Sequence, residues 1–349
     1  MLLNNAVNAI TSTVNPELEA KLRLHLHKQA RPLGSLGVLE ELAIRYGIMR
    51  AMEKPVLRKK ALAICLGDHG IASENVSAFP STFTRLFAKV LAEGGAAINV
   101  FCDQCGFKLI ALDFGVNGAV PESMVDAKVS LGTRNFSREA AMPRECAVDA
   151  IERGVSLACR DFLAYDIVAL GEMGIANSSS ASALLCAFTG YPPTNAVGPG
   201  SGVSSDVVAR KVRLIESALE RHSPNAEDPI GTLAALGGFE IAGIVGLCLG
   251  CALNRIPVIF DGFICTAAAL VVQKLCPSAL EYAFFSHRSS EPAHLTMLEH
   301  LGAEPIFDLG MRLGEGTGAV LAGSLVELGV SIFNGIFDRE HVMRMQPSI

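Results

Sequence analysis

Two glutamates in this chain stand in settings that chemistry could use. In Met311-Arg312-Leu313-Gly314-Glu315-Gly316-Thr317-Gly318-Ala319, Glu315 lies between glycines just ahead of an apolar run. Glycine on both sides is costly in ordering entropy, and the usual return is a backbone held tightly against something. A carboxylate at a helix start would also suit the macrodipole; with its glycine neighbours, Glu315 is the first choice for a general base. The second setting is Gly171-Glu172-Met173-Gly174-Ile175-Ala176-Asn177-Ser178-Ser179-Ser180, with an apolar run before it and an Ala/Leu-rich run after it. Two glycines let the backbone approach a ligand, and the free N–H groups of a helix start bind phosphate. Asn177 and the serines serve ordinary helix capping equally well. Glu172, beside Met173 and Ile175, suits proton transfer or a hydrogen bond to a heterocycle.

A second glycine-rich loop, Val197-Gly198-Pro199-Gly200-Ser201-Gly202-Val203, is spaced G-x-G-x-G, and Pro199 removes one N–H donor. A dehydrogenase fingerprint needs G-x-G-x-x-G with an acid about 20 residues on, and neither loop supplies it. Lys211 could give a bound phosphate its countercharge, although beside Arg210, Arg213 and Glu216 the pattern reads as a solvated helix lysine. Asp68-His69-Gly70, Asp113-Phe114-Gly115 and Ser286-His287-Arg288-Ser289-Ser290-Glu291 are further polar clusters. A lone His such as His69 is more often structural than catalytic. No G-x-S-x-G elbow or H-E-x-x-H spacing occurs, which leaves acyl transfer and zinc hydrolysis without support. The pairs Cys102/Cys105 and Cys248/Cys251 lack companion ligands, and the ten cysteines read as buried apolar residues.

These motifs follow a repeating scaffold. Short apolar runs at 61–66, 108–112, 166–170, 256–260 and 283–285 each end in polar or glycine residues. Helix-length segments lie between them, at 84–100, 138–163, 179–189, 204–222 and 266–275. Such alternation predicts an α/β fold with a parallel sheet covered on both faces, whose ligands bind beyond the carboxyl ends of the strands. Helical patterns at 16–29, 36–49 and 312–337 flank this middle, and the tail beyond Arg339 is expected to be loosely held. Of 349 residues, 50% are hydrophobic and 18% charged, which excludes disorder. A net charge of −6 without a basic run argues against nucleic acid and membrane surfaces. The apolar run 241–253 is shorter than the ~20 residues a span needs and predicts a close-packed buried helix. The N-terminal segment lacks the pattern of a signal peptide, so a cytoplasmic location is expected.

Taken together, the blocks Arg31–Ala43, Gly67–Pro80, Gly94–Val100, Gly171–Leu185, Asp228–Gly243, Pro257–Leu270, Ser286–His294 and Leu309–Ala322 closely resemble the nicotinate-nucleotide–dimethylbenzimidazole phosphoribosyltransferase family, which activates the lower ligand of cobamides. The resemblance covers nearly the whole chain. It implies a Rossmann-like large domain over 59–311, a small helical domain from 1–58 and 312–349, a homodimer, and no cofactor or metal. It assigns Glu315 as catalytic base and Glu172 as the second active-site glutamate. It places the ribose phosphate at Gly174, Ala176, Asn177, Ser178 and Ser179, with Gly202 and Lys211. Ser289 falls near the nicotinate, and Phe79 and Phe87 fall in the acceptor pocket. Asp68, Met173, Leu313 and Gly314, inside the same motifs, complete the candidate substrate-binding set. Phe79 stands where Tyr is common, Phe87 where Met or a polar residue occurs, and Ser178-Ser179 where a Thr pair is usual. The serines keep the hydroxyls. The phenylalanines narrow an apolar slot, from which a flat aromatic acceptor is expected, dimethylbenzimidazole ahead of purines.

Overall fold

The computed structural model of the chain describes residues 2–198, 200 and 202–345. Seven strands form one sheet: β1 (Lys60–Gly67), β2 (Phe107–Gly115), β3 (Val125–Asp126), β4 (Ile167–Met173), β5 (Val258–Phe260), β6 (Ala283–His287) and β7 (Pro305–Phe307). Their order is β3-β2-β1-β4-β5-β6-β7, and every neighbouring pair is parallel. A strand buried on both faces has no polar side to show; all eight residues of β1 are buried, from the Lys60 stem to Gly67. The sheet changes direction between β1 and β4. In open parallel sheets that is where a crevice opens beyond the strand ends.

The helices among the described residues are α1 (Leu2–Ala9), α2 (Pro16–Lys28), α3 (Val38–Arg50), α4 (Thr82–Ala92), α5 (Ala97–Cys105), α6 (Arg144–Arg160), α7 (Asn177–Thr189), α8 (Pro193–Ala196), α9 (Ser205–His222), α10 (Pro229–Leu236), α11 (Phe239–Leu253), α12 (Phe263–Leu275), α13 (His294–Leu301), α14 (Thr317–Gly335) and α15 (Arg339–Arg344). Helix α11 is the close-packed helix expected from its composition, buried along almost its whole length. It lies so close to α6 that a Cβ on Gly154 would stand 2.8 Å from the Leu247 nitrogen. With α12 it packs on one part of the sheet, while α5 and α14 pack on other strand faces and on each other. A second, smaller core joins Leu18, Leu22 and Leu26 of α2, Ala43 and Ile44 of α3, and Phe333 near the end of α14.

Several boundaries depart from the sequence reading for local reasons. The segment 84–100 is two helices, because Gly94 at φ +80° turns the chain between them. The helix expected from 138 starts only at Arg144, behind Pro143. The helix expected from 312 starts at Thr317, because residues 314–316 form a tight turn. Within the expected loose tail, Arg339–Arg344 form α15, capped by Asp338, whose Oδ1 accepts the His341 N–H at 2.6 Å; residues 346–349 of that tail lie outside the described residues. Pro199 and Ser201 of the second glycine-rich loop lie outside the described residues.

Candidate active site

The turn that carries Glu315 is built from three successive residues with positive φ: Gly314 at 86°, Glu315 at 62° and Gly316 at 86°. An L-residue in that region costs roughly 1–2 kcal/mol, so the surroundings must hold it. Strand β4 supplies one side: a Cβ on Gly171 would sit 2.8 Å from the Glu315 carbonyl oxygen and equally close to Gly316. The Thr317 hydroxyl donates to the Gly314 carbonyl at 2.8 Å. Asp261, next after β5, accepts the Gly316 N–H at 3.1 Å and the Ala319 N–H at 3.0 Å. Close approach to β4 and β5 is thus what the flanking glycines allow.

The Glu315 carboxylate is largely buried, and its Oε2 has no hydrogen-bond partner. Burial raises its pKa, partly opposed by the Ile98 N–H at the start of α5. Glu172, on β4, is buried and accepts from the Asn177 side-chain amide. Burial, reinforced by the charges of Asp261, Glu240 and Glu315, pushes it up to about 8, against the Asn177 bond. Its surroundings therefore favour the protonated form. Its Oε1 lies against Gly314, where a Cβ would come within 2.7 Å, so the two glutamates share one wall.

Across the cavity, α7 begins without a capping side chain, from Ala176 at φ 75°. A helix N-terminus is where an anion is favoured. Lys211 of α9 reaches the same place and donates to Ser178 Oγ at 3.2 Å. The sequence pattern had Lys211 solvated; instead it is 3% exposed, because Arg210 and Arg213 take the outer face of α9 and Lys211 the inner. Burial lowers its pKa, and Glu291 counters this. A Cβ on Gly200 would stand 3.5 Å from the ammonium. The Asn177 and Ser179 N–H groups are taken by the Gly174 and Ala176 carbonyls, at 3.1 and 3.0 Å, so the Ser178 hydroxyl, the buried cation and the glycine backbone are what suit a phosphate monoester here.

The cavity enclosed by these groups measures about 540 Å³, within the range of small-molecule sites. Of the candidate residues, Glu172, Met173, Gly174, Ala176, Asn177 and Ser178 line it from β4 and α7. Leu313, Gly314 and Glu315 line it from the turn before α14, and Gly202, Lys211, Ser289 and Phe79 from other sides. Three candidates lie elsewhere. Phe87 turns inward from α4 into the main core at 6% exposure; Phe83, one turn earlier, faces the cavity and stacks on Phe79 with ring centres 4.9 Å apart. Ser179 is buried within α7, off the cavity wall, with its Oγ unpartnered. Asp68 accepts the Asn117 N–H at 2.8 Å and fastens the loop after β2. Besides Phe83, the sequence reading left Glu291 and Arg312 of the wall without a role, although both stand in quoted motifs.

His69 is enclosed, as its lone occurrence suggested. Its Nε2 lies 2.6 Å from Glu240 Oε1 and its Nδ1 3.0 Å from Ser180 Oγ, all three side chains being buried. Among the described residues no three His, Cys, Asp or Glu side chains are grouped to hold a metal ion. A larger, shallower hollow of about 780 Å³ lies at the β2–β3 edge. Its cation, Lys128, is already bound to Asp113 and to the Val116 and Gly118 carbonyls, so the hollow offers no free positive charge from that side chain.

A family model described as Phosphoribosyltransferase matches residues 11–342. Nicotinate-nucleotide–dimethylbenzimidazole phosphoribosyltransferase of Geobacter metallireducens is 46% identical over 325 residues, covering 91% of this chain and 91% of that protein. Its namesake in Geobacter sulfurreducens is 44% identical over 337 residues, 95% of each chain. The crystal structure of CobT from Thermus thermophilus matches with a TM-score of 0.90 at 36% identity, covering 94% of this chain and 99% of that one.

Proposed function

The chain belongs to the nicotinate-nucleotide–dimethylbenzimidazole phosphoribosyltransferase family, and from that premise we propose that its cavity moves the 5-phosphoribosyl group of nicotinate mononucleotide to 5,6-dimethylbenzimidazole. The products are α-ribazole 5′-phosphate and nicotinate. The observation that carries the reading is the partly buried Glu315 carboxylate, its covered Oε2 unpartnered, on the same cavity as Lys211 and the start of α7.

Lys211, with Ser178 at the start of α7, receives the phosphate and fixes the ribose. The nicotinate of the donor is already a pyridinium and leaves without an acid. The acceptor lies in the apolar slot of Phe79, Phe83 and Met173. One ring nitrogen attacks C1′ from the face opposite the nicotinate as the C1′–nitrogen bond to nicotinate breaks, which inverts the anomeric carbon. The hydrogen on the other ring nitrogen passes to Glu315. Such general-base help is worth ~10²–10⁴-fold, and immobilising phosphate and base adds orientation. A raised pKa brings Glu315 nearer the operating pH, as a base requires. Glu172, held toward its neutral form by burial, adds no second negative charge to the wall it shares with Glu315.

The same reading takes the enzyme as a cytoplasmic homodimer with no membrane or nucleic-acid partner, and residues 1–58 with 312–349 as its smaller helical domain. All ten cysteines are free, as suits a reducing compartment. Helix α14 has the length and composition to cross a bilayer, but it packs against α3, α5 and the sheet. Leu33, Val38 and Leu309, each more than half exposed, are apolar surface that a second copy could cover. The small core of α2, α3 and Phe333 supports a separate helical unit at that corner, while α1 and the first turns of α14 pack into the main core.

Mass spectrometry of products formed from nicotinate mononucleotide with a panel of benzimidazoles, purines and phenols tests the reaction. Ribosylated dimethylbenzimidazole is expected to predominate. A panel that yields no ribosylated base, or adenine outcompeting dimethylbenzimidazole, contradicts the assignment.

A further inference from the structure

Asp261 is buried at the end of β5, outside the cavity wall, and no step above uses it. Its carboxylate nevertheless grips the turn that carries Glu315. Oδ2 accepts from Gly316, the residue directly after Glu315, and Oδ1 accepts from Ala319 in the first turn of α14. Helix α14 supplies no cap of its own, since Gly316 at its start has no side chain. The cap therefore comes from 55 residues away in sequence, off another strand. A negative group at a helix N-terminus is favoured by the macrodipole. The position is also closely fitted: His287, hydrogen-bonded to Ser286 Oγ at 2.8 Å, lies with Nδ1 3.8 Å from Asp261 Oδ1.

This grip bears on conformation. A left-handed glutamate persists only where its surroundings over-determine it. Gly171 blocks the turn from β4 and Thr317 ties it from α14. Asp261 holds the amide following Glu315 and sets where the left-handed stretch ends and the helix begins. Without it, nothing else among the described side chains bonds the Gly316 N–H.

We infer that Asp261 is a positioning residue for phosphoribosyl transfer: its carboxylate fixes the Gly314–Glu315–Gly316 turn, and it acts on turnover through Glu315. The inference rests on the reading of Glu315 as base. Asn in place of Asp261 keeps the shape but swaps one accepting oxygen for a donor that faces a backbone N–H.

The test is steady-state kinetics of Asp261→Asn, Glu315→Gln and the double variant, with the thermal shift produced by nicotinate mononucleotide as a check on folding and donor binding. Asp261→Asn is expected to lower kcat roughly 10–100-fold, as a slight misplacement of a reacting group does, with KM for nicotinate mononucleotide within about twofold of wild type. The double variant is expected to be no slower than Glu315→Gln alone, because both changes spoil one device. Losses that multiply in the double variant, or an Asp261→Asn enzyme at wild-type turnover, overturn the inference while leaving Glu315 as base. Wild-type turnover by Glu315→Gln overturns the base reading and the inference with it. Should Asp261→Asn not fold, Asp261→Ser, which keeps one capping oxygen, is read against the same outcomes.

Discussion

At the carboxyl ends of β1 and β4, which pair side by side, the molecule buries acidic groups in two ways. Behind β1, Glu240 meets His69, which meets Ser180, and all three are sealed off. The second Glu240 oxygen is wedged between glycines: a Cβ on Gly67 or Gly238 would lie 2.7 or 2.5 Å from it. At β4, Glu172 is buried and Glu315 partly so, with its Oε2 covered, but both border a cavity of about 540 Å³. The residue types alone would favour the first cluster, since Ser, His and Glu in a row resemble a hydrolytic relay. Access reverses that preference. Ser180 is fully buried and has no substrate to attack, whereas the free Glu315 oxygen belongs to a side chain on a cavity wall.

The comparison breaks if the open cluster is dispensable. Glu315→Gln is expected to lower turnover ~10²–10⁴-fold while calorimetry finds nicotinate mononucleotide bound as in wild type; undiminished turnover removes Glu315 from its role. On the phosphate side, Lys211→Met deletes the buried ammonium. A hydrogen bond to a charged group is worth ~1.5–3 kcal/mol, so KM for nicotinate mononucleotide should rise roughly 10–100-fold with a smaller change in kcat. An unchanged KM would move the phosphate elsewhere in the cavity.

The closed cluster sharpens the contrast by failing differently. Removing one partner of a buried pair costs roughly 3–5 kcal/mol. Glu240→Ala should therefore lower Tm by several degrees, while KM and kcat, measured well below that Tm, stay within about twofold of wild type. A collapse of kcat in a well-folded Glu240→Ala enzyme would give the sealed relay a part in the reaction.

The smallest effect is one of pH. Glu172 has a folded pKa of about 8 and Asp261 one of about 7, both raised by burial from the ordinary carboxylate values of 4.5 and 3.8. The folded chain thus holds protons that the unfolded chain has released. Their stabilising contribution is fully present below about pH 4 and is lost as pH rises through 7 to 8. Glu172→Gln removes one of these two contributions, so its melting temperature should gain on wild type between pH 6 and pH 9, by a few degrees in thermal melts. Parallel curves for the two proteins would mean that Glu172 is already ionised in the fold.

Much of this was legible in the sequence because its causes are local. Parallel strands read as apolar runs, and Ala61–Leu66 falls inside β1 for that reason. Glu315 and Glu172 stood out because glycine beside a carboxylate marks close backbone approach. What escaped depends on which way a helix faces. Phe83 and Phe87 are four residues apart and share one side of α4, yet only the first reaches the cavity. Lys211 among charged neighbours gave no sign of its burial, since an inward lysine leaves the same residue string as an outward one. The short β7 and the two-residue β3 carry too little sequence for any period to show. Asp68 shares a strand end with His69 but lies off the cavity wall, its carboxylate accepting the Asn117 N–H of the loop after β2, a side-chain direction that the residue string does not carry.

The most direct measurement is a crystal structure of the enzyme with dimethylbenzimidazole and ribose 5-phosphate, which cannot react with each other. The account places a Glu315 oxygen about 2.6–3.2 Å from one benzimidazole nitrogen, the other nitrogen facing C1′ and the phosphate on Lys211 and the start of α7. A benzimidazole bound with both nitrogens out of reach of Glu315 would contradict it.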